Sequence, residues 1–359
     1  MLFACLTIPY SDDKINWLNH FVTRCSDMSE PAFYMLPPGA LKPGDRPEYE
    51  FDPRCRYYGP EDIGECRARF ALPGQLDPAT IPNRITDVRY GALETQLLDL
   101  YYPDAGAGPF PVIFYVHGGG WIVGSRRDSA IDCILSGALA RGFAVASVEY
   151  RLAPGARVPE NLWDVKTAVR FLRANAAAYR VDPARFGMAG DSAGGYFTLM
   201  IAATANVPAL EGEQYGWPGV SSAIQAAVDF YGPVDMESDW AEYYAASGVR
   251  RLPLKLKGYP SMEEYEFSNV SARHLAPLVS PHRYVHPGMP PVLLLHGVND
   301  CVVPYQHSEL MAERIRAVCG EDRATLLLYP ERVHSDGEFM DGESARIAAE
   351  FCAKAFGLE

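Results

Sequence analysis

Blocks of apolar residues recur at regular intervals along the last three-quarters of the chain. Residues 111–116 read Pro-Val-Ile-Phe-Tyr-Val, an apolar run with no polar side. Runs of this length, rich in β-branched and aromatic residues, predict strands buried on both faces. The same signature returns at 143–149, 185–190, 224–231, 291–296 and 324–329. Between these runs the apolar residues recur at helical spacing, which predicts helices over 128–141, 160–179, 192–205, 304–319 and 342–356. Two earlier runs, 84–91 and 95–102, predict an antiparallel start to the sheet. Strands that alternate with helices imply a mostly parallel central sheet with helices on both faces, an α/β architecture.

Two regions fall outside this alternation. Residues 1–83 are rich in Pro, Gly and aromatics, and residues 232–289 interrupt the sheet. Segments of that size are usually functional or carry structure of their own. The first is expected to be an N-terminal extension acting as a cap, or else a packing arm or homodimer contact. The second is expected to be an insertion forming a lid or pocket wall. Residues 84–359 then form the catalytic domain.

The chemistry is concentrated at two strand ends. Gly190-Asp-Ser-Ala-Gly-Gly195 sits between the strand at 185–190 and the helix at 192–205. A strand that turns sharply into a helix needs small residues, because a Cβ would clash as the backbone doubles back. Such a turn exposes Ser192 at a helix N-terminus, where amides and dipole favour negative charge. Upstream, His117-Gly-Gly-Gly-Trp121 follows the strand at 111–116. Three glycines after a buried strand leave backbone N–H groups unshielded, as an oxyanion requires. The N–H groups of Gly118 and Gly119, with that of Ala193, are expected to form an oxyanion hole. A phosphate-cradling loop is disfavoured, because neither Lys-Ser/Thr nor Gly-x-Gly-x-x-Gly follows.

These two motifs, together with Glu149-Tyr-Arg-Leu-Ala-Pro154, resemble the hormone-sensitive-lipase-like branch of the α/β-hydrolase carboxylesterases. Leu98-Asp-Leu-Tyr-Tyr-Pro103 resembles a neighbouring group of bacterial carboxylesterases that includes feruloyl and acetyl-xylan esterases. The resemblance runs from about residue 84 to the C-terminus, is weak over 206–285, and does not extend to residues 1–83. It implies an α/β-hydrolase fold and acyl transfer through an acyl-serine intermediate. Short-acyl or aromatic esters are the substrates expected.

Folds of this kind use the chain order serine, acid, histidine. Asp300 follows the strand at 291–296, and His334 lies on the loop after the strand at 324–329. A carboxylate beyond the C-terminal end of a parallel strand sits where open α/β sheets place their chemistry. Ser192 is therefore the expected nucleophile, His334 the base and Asp300 its orienting acid. His117 and His296 read instead as structural, and His282, His286 and His307 as solvated. Asp229 and Asp235 compete less well than Asp300 for the acid, while Asp336 and Glu338 read as surface carboxylates close to His334. Asp191 and Glu149 are expected to brace the turn and the glycine loop. Trp121 and Asp191 are also the candidates for substrate contact. With a neutral imidazole as base, activity should rise through ~6.5, the reference imidazole pKa.

Composition narrows the classes. A net charge of −13 over 359 residues argues against nucleic acid and anionic membrane as partners. It leaves a small neutral ester as the expected ligand. Apolar runs are of strand length, so no membrane span is expected. The first eight residues lack a basic region, which makes a secretory leader unexpected and a cytoplasmic location the default. The eight cysteines (5, 25, 55, 66, 133, 301, 319 and 352) show neither Cys-x-x-Cys nor zinc-ligand spacing. Reduced thiols, no metal and no cofactor are expected. The sequon at Asn269-Val-Ser271 carries no weight for a chain expected in the cytoplasm. A serine peptidase of the prolyl-oligopeptidase type and a non-catalytic binding protein on the same fold remain the alternatives.

Overall fold

The computed structural model describes residues 77–358, apart from 122, 153–154, 157–158, 206, 237–275 and 301. Nearly all of the expected N-terminal extension, most of the 232–289 insertion, the sequon and the cysteines at 5, 25, 55, 66 and 301 lie outside these residues.

Eight strands form one sheet: β1 (Arg84–Arg89), β2 (Leu97–Tyr101), β3 (Phe110–Val116), β4 (Ala144–Val148), β5 (Val181–Asp191), β6 (Ala226–Phe230), β7 (Val292–Gly297) and β8 (Ala324–Tyr329). Their order is β1-β2-β4-β3-β5-β6-β7-β8. β1 pairs antiparallel with β2 and β2 antiparallel with β4, and every other pairing is parallel. Among the described residues, the helices of six residues or more are α1 (Leu135–Ala140), α2 (Glu160–Ala174), α3 (Ala193–Thr204), α4 (Gln306–Cys319) and α5 (Gly342–Ala355), and they pack on the sheet.

The apolar runs explain the layering. Along β3, Val112, Phe114 and Val116 face a core shared with α2, α3 and α4, while Ile113 and Tyr115 face a second core shared with α1 and α5. The period-2 alternation therefore buries both faces, and no polar position is left over. All twelve residues of α3 are buried.

The expected helix at 128–141 is broken. A 3₁₀ segment, Ser129–Cys133, precedes α1, and Ile134 between them leaves the helical region at φ −136°. The expected helix at 160–179 stops at Ala174, where Asn175 turns its side-chain amide back onto the Phe171 carbonyl. Side-chain bonding of this kind competes with helix continuation.

The chain leaves β3 towards β4 on one side and returns to β5 on the other. Open α/β sheets form a crevice at such a reversal, beyond the C-terminal strand ends. The glycine loop and Ser192 lie at the ends of β3 and β5, and the loops after β7 and β8 lie on the same side.

Candidate active site

β5 turns into α3 at Ser192, whose backbone holds φ 51° and ψ −116°. That conformation costs on the order of 1–3 kcal/mol and persists only where the surroundings impose it. Here the Ser192 amide donates to the Phe230 carbonyl at 2.8 Å, and its carbonyl accepts from the Tyr196 amide at 3.0 Å. Two glycines make the turn compact. A Cβ on Gly194 would lie 1.9 Å from the Val116 carbonyl oxygen, and one on Gly190 would lie 2.4 Å from the Gly194 backbone.

Three side chains from distant parts of the chain meet above this turn. Ser192 Oγ lies 3.0 Å from His334 Nε2, and His334 Nδ1 lies 2.7 Å from Asp300 Oδ2. A carboxylate only accepts, so Nδ1 carries the hydrogen and Nε2 presents a lone pair to the serine hydroxyl. Ser192 and His334 are partly exposed, whereas Asp300 is fully buried. Oδ1 of Asp300 accepts from the amides of Val302 and Val303, each at 2.8 Å. Burial alone would raise this carboxyl, but His334 and His296 outweigh it and hold Asp300 well below the usual carboxylate range.

The histidine loop is fixed to the acid loop. The amides of Val298 and Asn299 donate to the carbonyls of Tyr329 and Arg332. Asp336, expected at the surface, is 5% exposed and accepts from the Val333 and Glu338 amides. Asp229 and Asp235 stand elsewhere. Asp229 is buried beneath the turn with Oδ1 accepting from the Gly232 amide at 2.9 Å, and burial pushes its carboxyl up to about 8.

The glycine loop is braced from behind. His117 stacks on Tyr150 at 4.3 Å, its Nδ1 lies 2.8 Å from the Gly118 carbonyl, and its Nε2 lies 3.5 Å from Glu149 Oε1. Arg126 donates to Glu149 Oε2 at 2.9 Å and lies 3.1 Å from the fully buried Asp99. His117 and Arg126 lower the Glu149 carboxyl against the opposing effect of burial.

His282 and His307, expected to be solvated, are buried. Three expectations at the site also need correction. The Gly118 amide is not available to an oxyanion, because it is buried and donates to Asp191 Oδ1 at 3.0 Å. Asp191 itself is 5% exposed and also accepts from the Tyr115 hydroxyl at 2.7 Å, so it holds the loop from inside rather than touching substrate. Trp121, likewise 5% exposed, packs edge-on against Tyr196 at 5.4 Å within the core. Asp191 thus braces the turn as expected but is not placed to touch substrate, and Trp121 lies in the core rather than beside a ligand. Gly119 and Gly120, both at positive φ, are partly exposed, and neither amide has an acceptor among the described residues.

Tyr231 escaped the sequence reading. It directly follows β6, sits at φ 46°, is fully buried, and packs edge-on against His334 at 4.9 Å. Its signal was an aromatic residue at a strand's C-terminal end, before Gly232-Pro233.

The BD-FAE family model matches residues 98–315. The chain belongs to the BD-FAE family. Esterase LipC of Mycobacterium tuberculosis is 33% identical over 234 residues, covering 64% of this chain and 55% of LipC. The isoprenylcysteine alpha-carbonyl methylesterase ICME of Arabidopsis thaliana is 28% identical over 277 residues, 76% of this chain and 62% of ICME. The chain thus spans little more than half the length of these curated relatives. Among solved structures, a truncated carbohydrate esterase from gut microbiota aligns with a TM-score of 0.63 at 26% identity, covering 78% of this chain and 98% of that one. An esterase of the archaeon Pyrobaculum calidifontis aligns with a TM-score of 0.55 at 25% identity, covering 73% and 81%. The fold of this BD-FAE member is therefore the α/β-hydrolase fold. Among the described residues, no helix is long and apolar enough to cross a membrane, and no group of His, Cys, Asp and Glu could hold a metal.

Proposed function

We propose that this BD-FAE member is a serine carboxylesterase that cleaves small neutral esters through an acyl-enzyme. One observation carries the reading: an unbroken hydrogen-bonded line from Asp300 through His334 to a strained, partly exposed Ser192. In this mechanism Ser192 Oγ attacks the acyl carbon while His334 Nε2 takes its proton and then returns it to the leaving alcohol. Water, activated by the same imidazole, releases the acid. Asp300 keeps the imidazole in one tautomer and stabilises the imidazolium.

The tetrahedral oxyanion needs donors. The Ala193 amide opens α3, and the Gly119 and Gly120 amides belong to the loop after β3 at the same end of the sheet; we assign the hole to these three. Each such donor contributes on the order of 3 kcal/mol to transition-state stabilisation. The carbohydrate esterase among the structural neighbours and the methylesterase among the relatives support a carboxylic ester as substrate, and the short or aromatic acyl group follows from the motifs shared with that esterase group.

A panel of acetyl, butyryl, longer acyl and hydroxycinnamoyl aryl esters tests both parts, with Ser192→Ala as the blank. Hydrolysis should fall on the order of 10⁴-fold or more in that variant. Undiminished hydrolysis by Ser192→Ala would sink the esterase reading, and a preference for long acyl chains would sink the substrate class.

A further inference from the structure

Asp300 is surrounded by more donors than one histidine requires. Oδ1 takes two backbone amides, and Oδ2 takes His334. A second imidazole stands beside that same oxygen: Nε2 of His296 lies 3.3 Å from Oδ2. His296 is fully buried near the end of β7, four residues before the acid. Its Nε2 also lies 2.8 Å from the Val303 carbonyl, and its Nδ1 lies 2.7 Å from Ser308 Oγ in the first turn of α4. A carbonyl only accepts, so Nε2 carries the hydrogen, and that hydrogen is directed at both the Val303 oxygen and Oδ2. One ring therefore joins the strand end, the acid loop and the helix that follows it.

We propose that His296 is a positioning residue for the acid: its Nε2–H is shared between the Val303 carbonyl and Asp300 Oδ2, which fixes the carboxylate facing His334 and draws off part of its charge. The inference rests on the proposed Ser192–His334–Asp300 triad. Its consequence is electrostatic. The carboxylate charge stabilises the imidazolium of His334, and a second donor on the same oxygen competes for that charge. Removing the His296 donor leaves more of that charge facing the imidazolium, and this is the change a pH–rate profile reads. Ser308 Oγ anchors the opposite side of the ring at Nδ1. The other titratable groups around the pair are Tyr231 after β6, Asp191 at the nucleophile turn, His307 on α4, Asp235 after β6 and Asp336 on the histidine loop. None of them is itself altered when position 296 alone is changed.

The test is the pH dependence of kcat/KM on an aryl acetate for the parent, His296→Leu, His296→Gln and Ser308→Ala, each with folding checked by circular dichroism. His296→Leu should move the acid limb upward by about half a unit to one unit, with KM within about twofold. His296→Gln, whose amide N–H can take the place of Nε2–H, should return the limb to within about 0.2 unit of the parent. Ser308→Ala should shift it in the same direction by less. A residue that only fills the core lowers kcat or the folded fraction and leaves the limb in place; an unmoved limb in His296→Leu overturns the proposal. If that variant does not fold, an unmoved limb in Ser308→Ala overturns it instead. Ser192→Ala separates the two readings: full activity there defeats the triad itself, whereas an inactive Ser192→Ala with an unmoved His296→Leu limb defeats only the role of His296.

Discussion

The two halves of the candidate site are built by different means. The nucleophile turn and glycine loop are shaped by backbone: Gly194 lies against the Val116 carbonyl, the Ser192 amide is bonded to Phe230, and three consecutive glycines leave β3. The acid and base loops are shaped by side chains, with Asp300 and Asp336 each gathering backbone amides and His334 seated between Asp300 and Tyr231. Steric exclusion of a Cβ acts over a few residues, so the first half is locally specified. Hydrogen bonds between loops 34 residues apart exist only once the sheet has aligned them. The packed glycines of the first half should therefore respond to substitution mainly through stability, and the side chains of the second mainly through rate.

Four substitutions sharpen or break that contrast. Asp300→Asn should lower kcat by about 10³–10⁴-fold through loss of the tautomer and of imidazolium stabilisation, with the fold intact by circular dichroism. A loss of folding comparable to the loss of rate would erase the distinction. Gly194→Ala should act the other way and cost about 3 kcal/mol or more in a urea titration, because backbone at 1.9 Å has no flexible end to give. An unchanged midpoint would mean the elbow has slack. Glu149→Gln tests whether the glycine loop also depends on side chains. Its brace through His117 and Arg126 predicts about a tenfold fall in kcat, near 1.4 kcal/mol, with an unchanged KM. A fall as large as that of Asp300→Asn would place both halves in one class.

The smallest effect concerns Asp229 under the elbow. Burial lifts its carboxyl to about 8, above the ordinary 3.8. The folded chain keeps a proton that the unfolded chain releases between those values, so this site erodes stability as pH rises from about 4 to 8. Asp229→Asn keeps an acceptor for the Gly232 amide and removes the titration. Its unfolding free energy relative to the parent should improve by about 1 kcal/mol between pH 5 and pH 6. Parallel pH curves for the two proteins would show that Asp229 is ionised in the fold.

Much of the architecture was readable from the chain because strand burial and helix amphipathicity are periodic and local. The apolar runs at 111–116 and 291–296 lie within a residue or two of β3 and β7, and the antiparallel start at β1 and β2 was visible as well. The candidate serine, acid and histidine were readable as motifs at strand ends, which is a statement about position along the chain. Orientation was not readable. Nothing adjacent to Gly118 announces that its amide is taken by Asp191, 73 residues on, or that Trp121 turns into the core rather than towards a ligand. Tyr231 and His296 gained their places against His334 and Asp300 only when β6, β7 and β8 came to lie side by side.

The amino-acid order alone thus determined which segments become strands and helices, where the backbone can double back, and which chemically able side chains stand at the ends of strands. These depend on Cβ sterics and on apolar spacing within a single element. The folded sheet decided which amides stay free, which side chains point outward, and which imidazole meets which carboxylate. Those outcomes depend on distances between elements, and a distance of 3 Å across loops far apart in the chain is set by packing rather than by sequence neighbours.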